Sequence, residues 1–157
     1  AYKGRAYARR KLGRVDDALA DVSRAADLMK DEPGTISEAA RLYEEKKDYG
    51  KARELYEKVT AIKPKDSRVW GDLADIFKKQ KKFRKAAYYY GIAYSLDPEY
   101  AKNLDNIIYC MYQNAASLEK RGEPKQALAQ YRRAAALDSS NPWAEKAAAA
   151  ALSIGSP

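Results

Sequence analysis

The sequence predicts an all-α protein built as an array of antiparallel helix pairs, and three observations carry that expectation. Of its 157 residues, 46% are apolar and 33% charged, with only 8 Gly and 6 Pro, the balance of a soluble helical chain and not of a disordered one. Apolar side chains recur at i, i+3, i+4 and i+7, the period of one helix face. A set of small and large residues also returns at a fixed interval of 34 positions, which marks an internal repeat.

The repeat fixes the elements. Ala18, Ala52 and Ala86 stand 34 residues apart, followed four positions on by Val22, Tyr56 and Tyr90 and seven on by Ala25, Val59 and Ala93. A fourth set, Ala127, Tyr131 and Ala134, arrives one heptad late. Twelve positions before each of these alanines stands another: Ala6, Ala40, Ala74 and Ala115. Small residues at matched positions let two helix backbones cross closely, so each unit holds two helices.

The first unit, about residues 1–32, enters partway through its first helix, with Arg9 where a large apolar side chain is expected, so a local shift of register is one reading. Asp16 and Asp17 open its second helix, where they suit the positive end of the helix dipole. The second unit, 33–66, carries Ile36, Ala40, Tyr43, Ala52 and Tyr56 and ends at Pro64. The third, 67–100, places Trp70, Leu73, Ala74 and Phe77 on one stripe, turns near Lys81, and places Phe83, Ala86, Tyr90 and Ala93 on a second stripe ended by Pro98. The fourth, 108–141, keeps Ala115, Leu118, Gly122, Ala127, Tyr131 and Ala134 but has Asn114 and Ser139 where Leu and Pro are expected. Leu104, Ile107, Ile108, Met111, Ala115 and Leu118 form one stripe, so the seven residues 101–107 are expected to lengthen the first helix of that unit and either to pack, with Tyr94 and Tyr100 as cover, or to project as a docking surface, packing being favoured. Residues 142–154 predict one more helix, with Ala148, Ala149 and Leu152 at its small and large positions, either a closing helix or the truncated start of a further unit.

The run Trp70-x2-Leu73-Ala74-x2-Phe77, then Ala86-x3-Tyr90, then Pro98, resembles the tetratricopeptide repeat family, with Ala74 for the usual glycine and Tyr90 for the usual phenylalanine. The resemblance covers nearly the whole chain as a single domain over 1–157. It implies a right-handed superhelical α-solenoid whose first helices line a concave groove that takes a peptide or helix of a partner protein. In this register Lys3, Tyr7, Arg10 and Lys11, then Ser37, Arg41 and Glu44, then Arg68, Gly71, Asp75 and Lys78, then Tyr109, Tyr112 and Glu119 point into the groove. Members that hold the terminal carboxylate of a chaperone use Lys and Asn on a first helix, Asn on the next, and Lys and Arg on the third. Lys3 and Arg68 meet or nearly meet that need, but Tyr7, Glu38 and Asp72 fill the other places, and two acids would repel a carboxylate.

The chemistry points away from an enzyme. The absence of His removes the commonest general base and metal ligand, one Cys allows no zinc spacing, and no Gly-rich phosphate loop occurs, so neither cofactor nor metal is expected. Cys110 lies in an apolar string and reads as a small buried residue, compatible with a reducing or an oxidising compartment, cytoplasmic or periplasmic and secretory alike. No apolar run is long enough to span a bilayer. Two blocks free of acids, residues 1–14 and 78–85, together carry more positive charge than the formal net of +8, leaving the rest slightly acidic. The second block supplies a separate basic patch of Lys79, Lys81, Lys82, Arg84 and Lys85.

These features predict a non-catalytic scaffold, part of a multiprotein assembly, that holds an acidic partner segment. Arg10, Arg41, Arg68 and Lys78 would make the electrostatic contacts, and Tyr7, Tyr109 and Tyr112 would serve as aromatic anchors. The alternatives are an anionic polymer, RNA or acidic polysaccharide, held on the basic blocks, and self-assembly through the ends of the superhelix. Nucleic acid is disfavoured against a protein partner, because only Tyr88 and Tyr89 are placed to stack a base.

Overall fold

A computed structural model describes residues 2–28 and 32–155, without the side chains of Lys3, Ala26, Asp27, Leu28 and Ala101. Among these residues there are only helices: α1 (Tyr2–Lys11), α2 (Val15–Leu28), α3 (Pro33–Glu45), α4 (Tyr49–Ile62), α5 (Ser67–Lys79), α6 (Phe83–Leu96), α7 (Ala101–Lys120), α8 (Pro124–Leu137) and α9 (Pro142–Gly155). Pro64 follows the end of α4 and Pro98 the end of α6, as ring closure on the backbone nitrogen requires. Pro33, Pro124 and Pro142 instead sit at the first helical position, where no amide hydrogen is needed. Glu32 caps α3 by accepting from the amides of Gly34 and Thr35 at 3.2 and 2.7 Å.

The chain divides into two compact units, Ala1–Ile76 and Phe77–Pro157. In the first, α1 packs on α2, α2 on α3 and α3 on α4 around Ala6, Ala18, Val22 and Leu42, with Val15, Leu19 and Ala39 at the margin. In the second, α7 packs on both α6 and α8, and α9 closes over α7 and α8. Its core joins Ile108, Ala115, Leu118, Ala127, Tyr131 and Ala134 to Ala144, Ala147 and Ala151.

Every small position picked out by the repeat is buried, from Ala6 and Ala18 to Ala115 and Ala127. With Ala6 and Ala18 both at 0% exposure, the first unit keeps its register, and the shift that Arg9 suggested does not occur. The reason is an ion cluster. Asp21, fully buried on α2, accepts from Arg5 Nε at 2.8 Å and Nη2 at 2.6 Å and from Arg9 Nη1 at 2.8 Å, while Arg9 also donates to the carbonyl of Asp17.

The turns between paired helices repeat as closely as the cores. Gly13, Lys47, Lys81 and Gly122 stand at the same place, seven residues after each alanine of the first helix, and all four adopt positive φ, between 57° and 77°. Glycine reaches that backbone region freely; lysine does so against the clash of its Cβ.

At 20 residues α7 exceeds the 13-residue α3 and α5 by seven. Leu104 packs with Met111 against the core, and Asp105 accepts from the side-chain amide of the buried Asn141 at 2.6 Å. Tyr100 does not cover this extension: half of it is exposed, and it only opens the helix. In α9 the expected register is corrected. The buried stripe is Ala144, Ala147 and Ala151, whereas Ala148 and Ala149 are exposed and Leu152 is 74% exposed. Trp143 sets this rotation by packing between the rings of Tyr109 and Tyr112.

Candidate protein-binding surfaces

In the first unit the expected contact residues lie on α1, α3 and α5. Lys3 is on α1, its side chain outside the described residues. Tyr7 is 52% exposed and carries the guanidinium of Arg10 and the ammonium of Lys11 over its ring, at 5.5 and 5.6 Å from the centre. Arg10 does not face solvent as a free cation: Nε holds Glu38 at 2.8 Å and Nη1 holds Glu45 at 2.8 Å, and these carboxylates raise the guanidinium pKa further. Arg41 bridges Asp72 at 3.2 Å and Glu38 at 3.9 Å. Burial pushes the Asp72 carboxyl above its ordinary range, against the pull of Arg41. Arg68 is widely exposed but grips Asp66 across two residues, drawing that carboxyl down. Ser37 joins Arg41, Arg68 and Asp72 around a recess there. The two acids that argued against a terminal carboxylate, Glu38 and Asp72, are thus the residues that occupy Arg41.

The second unit is built differently. Lys78 donates from Nζ to Asn106 Oδ1 at 3.1 Å and lies 5.4 Å from the ring centre of the buried Tyr90. Tyr109 meets Trp143 edge to face at 4.9 Å and Phe83 at 6.0 Å. Tyr112 lies between Trp143, at 5.3 Å, and Tyr131, at 5.5 Å. Lys146 sits 4.2 Å over the Trp143 ring. A shallow depression on α5, α7 and α9 is lined by Lys78, Lys79, Asp105, Asn106, Tyr109 and Trp143. Lys78, Tyr109 and Tyr112, chosen from the sequence, thus meet around a residue the sequence reading passed over. Its signal was present: Trp143 precedes the buried Ala147 by four, as Trp70 precedes Ala74.

Asp75, the remaining acid of the expected set, sits half-buried on α5. The basic patch straddles the α5–α6 turn. Lys79 ends α5, Lys81 and Lys82 form the turn, and Arg84 and Lys85 open α6. Lys85 lies 5.6 Å over the Phe77 ring, while Lys81, Lys82 and Arg84 make no ion pair among the described residues. Of the tyrosines proposed for stacking, Tyr89 is taken up face to face with Phe77, 5.1 Å apart and 7° from parallel, which leaves Tyr88, 67% exposed, alone as a platform.

The repeat tyrosines also do something their burial did not announce. Tyr56 donates its hydroxyl to Glu44 Oε2 at 3.3 Å, and Tyr131 donates to Glu119 Oε2 at 3.1 Å, each twelve residues back at the same place in the repeat. Burial and the neighbouring carboxylates push both phenols well above their ordinary pKa.

Residues 9–76 match the tetratricopeptide repeat family. They belong to it. Beyond that segment the likeness is carried by solved structures. MamA RS-1, an ArsTM double mutant, superposes with TM-score 0.68 at 14% identity, over 98% of this chain and 90% of that one. MamA MSR-1 gives 0.65 at 23% identity, over 88% and 76%. A mutant Thermobaculum terrenum O-GlcNAc transferase gives 0.64 at 18% identity over 84% of this chain but only 25% of the enzyme, within its tetratricopeptide part. At these identities the likeness shows the fold, a tetratricopeptide α-solenoid, the architecture of protein-interaction scaffolds. No curated protein sequence matches the chain. No helix among the described residues is long and apolar enough to cross a membrane, and no group of His, Cys, Asp and Glu among them is arranged to hold a metal ion.

Proposed function

We propose that this tetratricopeptide protein is a non-catalytic scaffold that holds a peptide or helical segment of a partner protein on its first helices, within a multiprotein assembly. The observation that carries this reading is the depression on α5, α7 and α9, where Lys78 and Lys79 flank the rings of Tyr109 and Trp143. Rings that are already packed edge to face lose little conformational freedom when a ligand covers them, and the two lysines favour an acidic segment. Asp105 and Asn106 offer polar partners to a backbone laid across the same floor. In the first unit, Arg10, Arg41 and Arg68 already hold Glu38, Glu45, Asp72 and Asp66, so an acidic ligand there competes with internal carboxylates.

The test is capture of partners from native-cell extract on the immobilised chain, followed by titration with the recovered protein. Tyr109→Ala and Lys78→Glu are expected to weaken binding by about tenfold each, and the Arg41→Glu, Arg68→Glu pair by less. Capture that survives Tyr109→Ala and Lys78→Glu undiminished would sink the assignment of this face. Recovery of RNA in place of protein, with affinity falling steeply as salt rises, would favour the anionic-polymer reading instead.

A further inference from the structure

The second unit contains a recess of about 440 Å³ between α6, α7 and α8 that is distinct from the depression on α5, α7 and α9. Three arginines from three separate elements line it: Arg84 from the first turn of α6, Arg121 at the end of α7, and Arg133 from α8. Asn114, Gln126 and Gln130 add side-chain amides, and Gln126, Gln130 and Arg133 follow one another at i, i+4 and i+7 along a single face of α8.

The repeat explains why the space is open. Three residues beyond the small alanine of each second helix, α4 carries Leu55 and α6 carries Tyr89, and Tyr89 closes its place by stacking on Phe77. In α8 that place belongs to Gln130, opposite Leu118, and no ring fills it.

We propose that this recess binds a phosphoryl dianion. The charge balance fits: three guanidiniums meet one carboxylate, Glu123, which lies 3.1 Å from Arg121 on an exposed edge, while Arg84 and Arg133 make no ion pair among the described residues. The surplus of two positive charges matches a phosphate monoester near neutral pH. The lining fits as well. Arginines stand around the recess on three separate elements, and a phosphoryl group presents three terminal oxygens to guanidinium donors, whereas a carboxylate presents two. No aromatic side chain lines the recess, so nothing there stacks a base, and a nucleic acid would gain only its backbone contacts. The monoester can be free or carried on a serine or threonine of a polypeptide; the recess recognises the shared group.

Nuclear magnetic resonance of the arginine Nε–H groups in the whole chain, titrated at constant ionic strength, tests this. Inorganic phosphate and N-acetyl-phosphoserine amide are expected to shift Arg84, Arg121 and Arg133 together and saturably. N-acetyl-glutamate amide is expected to bind at least tenfold more weakly. Arg133→Gln and Arg84→Gln should each weaken phosphate binding about tenfold. Arg133→Lys, which keeps the charge and loses the fork, should weaken it nearly as much. Phosphoserine amide binding more tightly than inorganic phosphate would assign the site to a modified side chain, and the reverse to a free phosphate; either supports the recess. Equal affinity for the glutamate amide, an unchanged affinity in Arg133→Lys, or shifts that track ionic strength alone would overturn the proposal.

Discussion

The α1–α2 pair and the α5–α6 pair answer the same structural question with opposite chemistry. At corresponding places, three residues beyond the small alanine of each helix, the later pair stacks Phe77 on Tyr89 and the earlier one sets Arg9 against Asp21. The earlier pair keeps its helix crossing intact around the charges, since Ala6 and Ala18 are fully buried. What differs is how each pair fails. A ring lost from the stack leaves a cavity whose walls can partly relax, whereas a carboxylate lost from the cluster leaves two guanidiniums with no counterion against the helix interface.

The sharpest way to break the comparison is therefore Asp21→Ala. It should lower the melting temperature by roughly 10 °C, the largest effect among the variants considered, with Arg5 and Arg9 left unpaired. Arg9→Phe with Asp21→Tyr rebuilds the later pair inside the earlier one and should recover most of the loss, because Arg5 is half-exposed and can return to water. If the double variant melts no higher than Asp21→Ala, the two arrangements are not interchangeable. The cluster also carries a pH signature. Its hydrogen bonds with Arg5 and Arg9 hold Asp21 below the usual carboxylate range, so its contribution is fully present above that range and is lost as pH falls through the lowered value. Acid unfolding followed by circular dichroism should accordingly show a loss of stability at low pH in the native chain that the Arg9→Phe, Asp21→Tyr variant, which has no carboxylate to protonate there, lacks.

A smaller effect is expected where the two units agree. Tyr56 and Tyr131 hold Glu44 and Glu119 at the same place in the repeat, so Tyr56→Phe and Tyr131→Phe should each cost about 1 kcal/mol and be additive. Both phenols are raised above the ordinary tyrosine value, so the folded state keeps protons that the unfolded state releases, and stability falls as pH rises past that ordinary value. Absorbance at alkaline pH should show these two of the 13 tyrosines ionising only with unfolding, a step that Phe at both positions removes.

How far the sequence was legible follows from what its pattern encodes. Period and spacing report which positions are buried, and on that they located the small crossing residues from Ala6 to Ala127 and, along α7, Leu104, Ile108, Met111, Ala115 and Leu118. They do not report which charges neutralise one another. Arg10, Arg41 and Arg68 read as open cations because their acids, Glu38, Asp72 and Asp66, lie one helix away or across a turn, where spacing along a single helix gives no hint. Asp21 was missed for a related reason: an acid at an interface position only makes sense once its two arginines are seen above it. In α9 a nearly uniform run of alanines leaves helical phase undefined, and one tryptophan packing on two tyrosines decided it.

The smallest effect concerns the turns, and it separates local strain from charge. Lys47 and Lys81 adopt the backbone that Gly13 and Gly122 adopt at the corresponding places. A lysine there meets a steric penalty of about 1 kcal/mol that a glycine avoids, partly offset by the greater freedom a glycine has in the unfolded chain. Lys47→Gly and Lys81→Gly should therefore raise stability by a few tenths to about 1 kcal/mol, and Gly13→Ala and Gly122→Ala should lower it by a similar amount, with nothing within 4 Å of the added methyl to complicate the reading. Lys81 adjoins Lys82 and Arg84 whereas Lys47 follows Glu44 and Glu45 and precedes Asp48, so charge relief would act only at Lys81. Equal gains at the two lysines, insensitive to salt, mean that backbone strain sets the effect; a gain at Lys81 alone that fades as salt rises means that repulsion within the basic turn does.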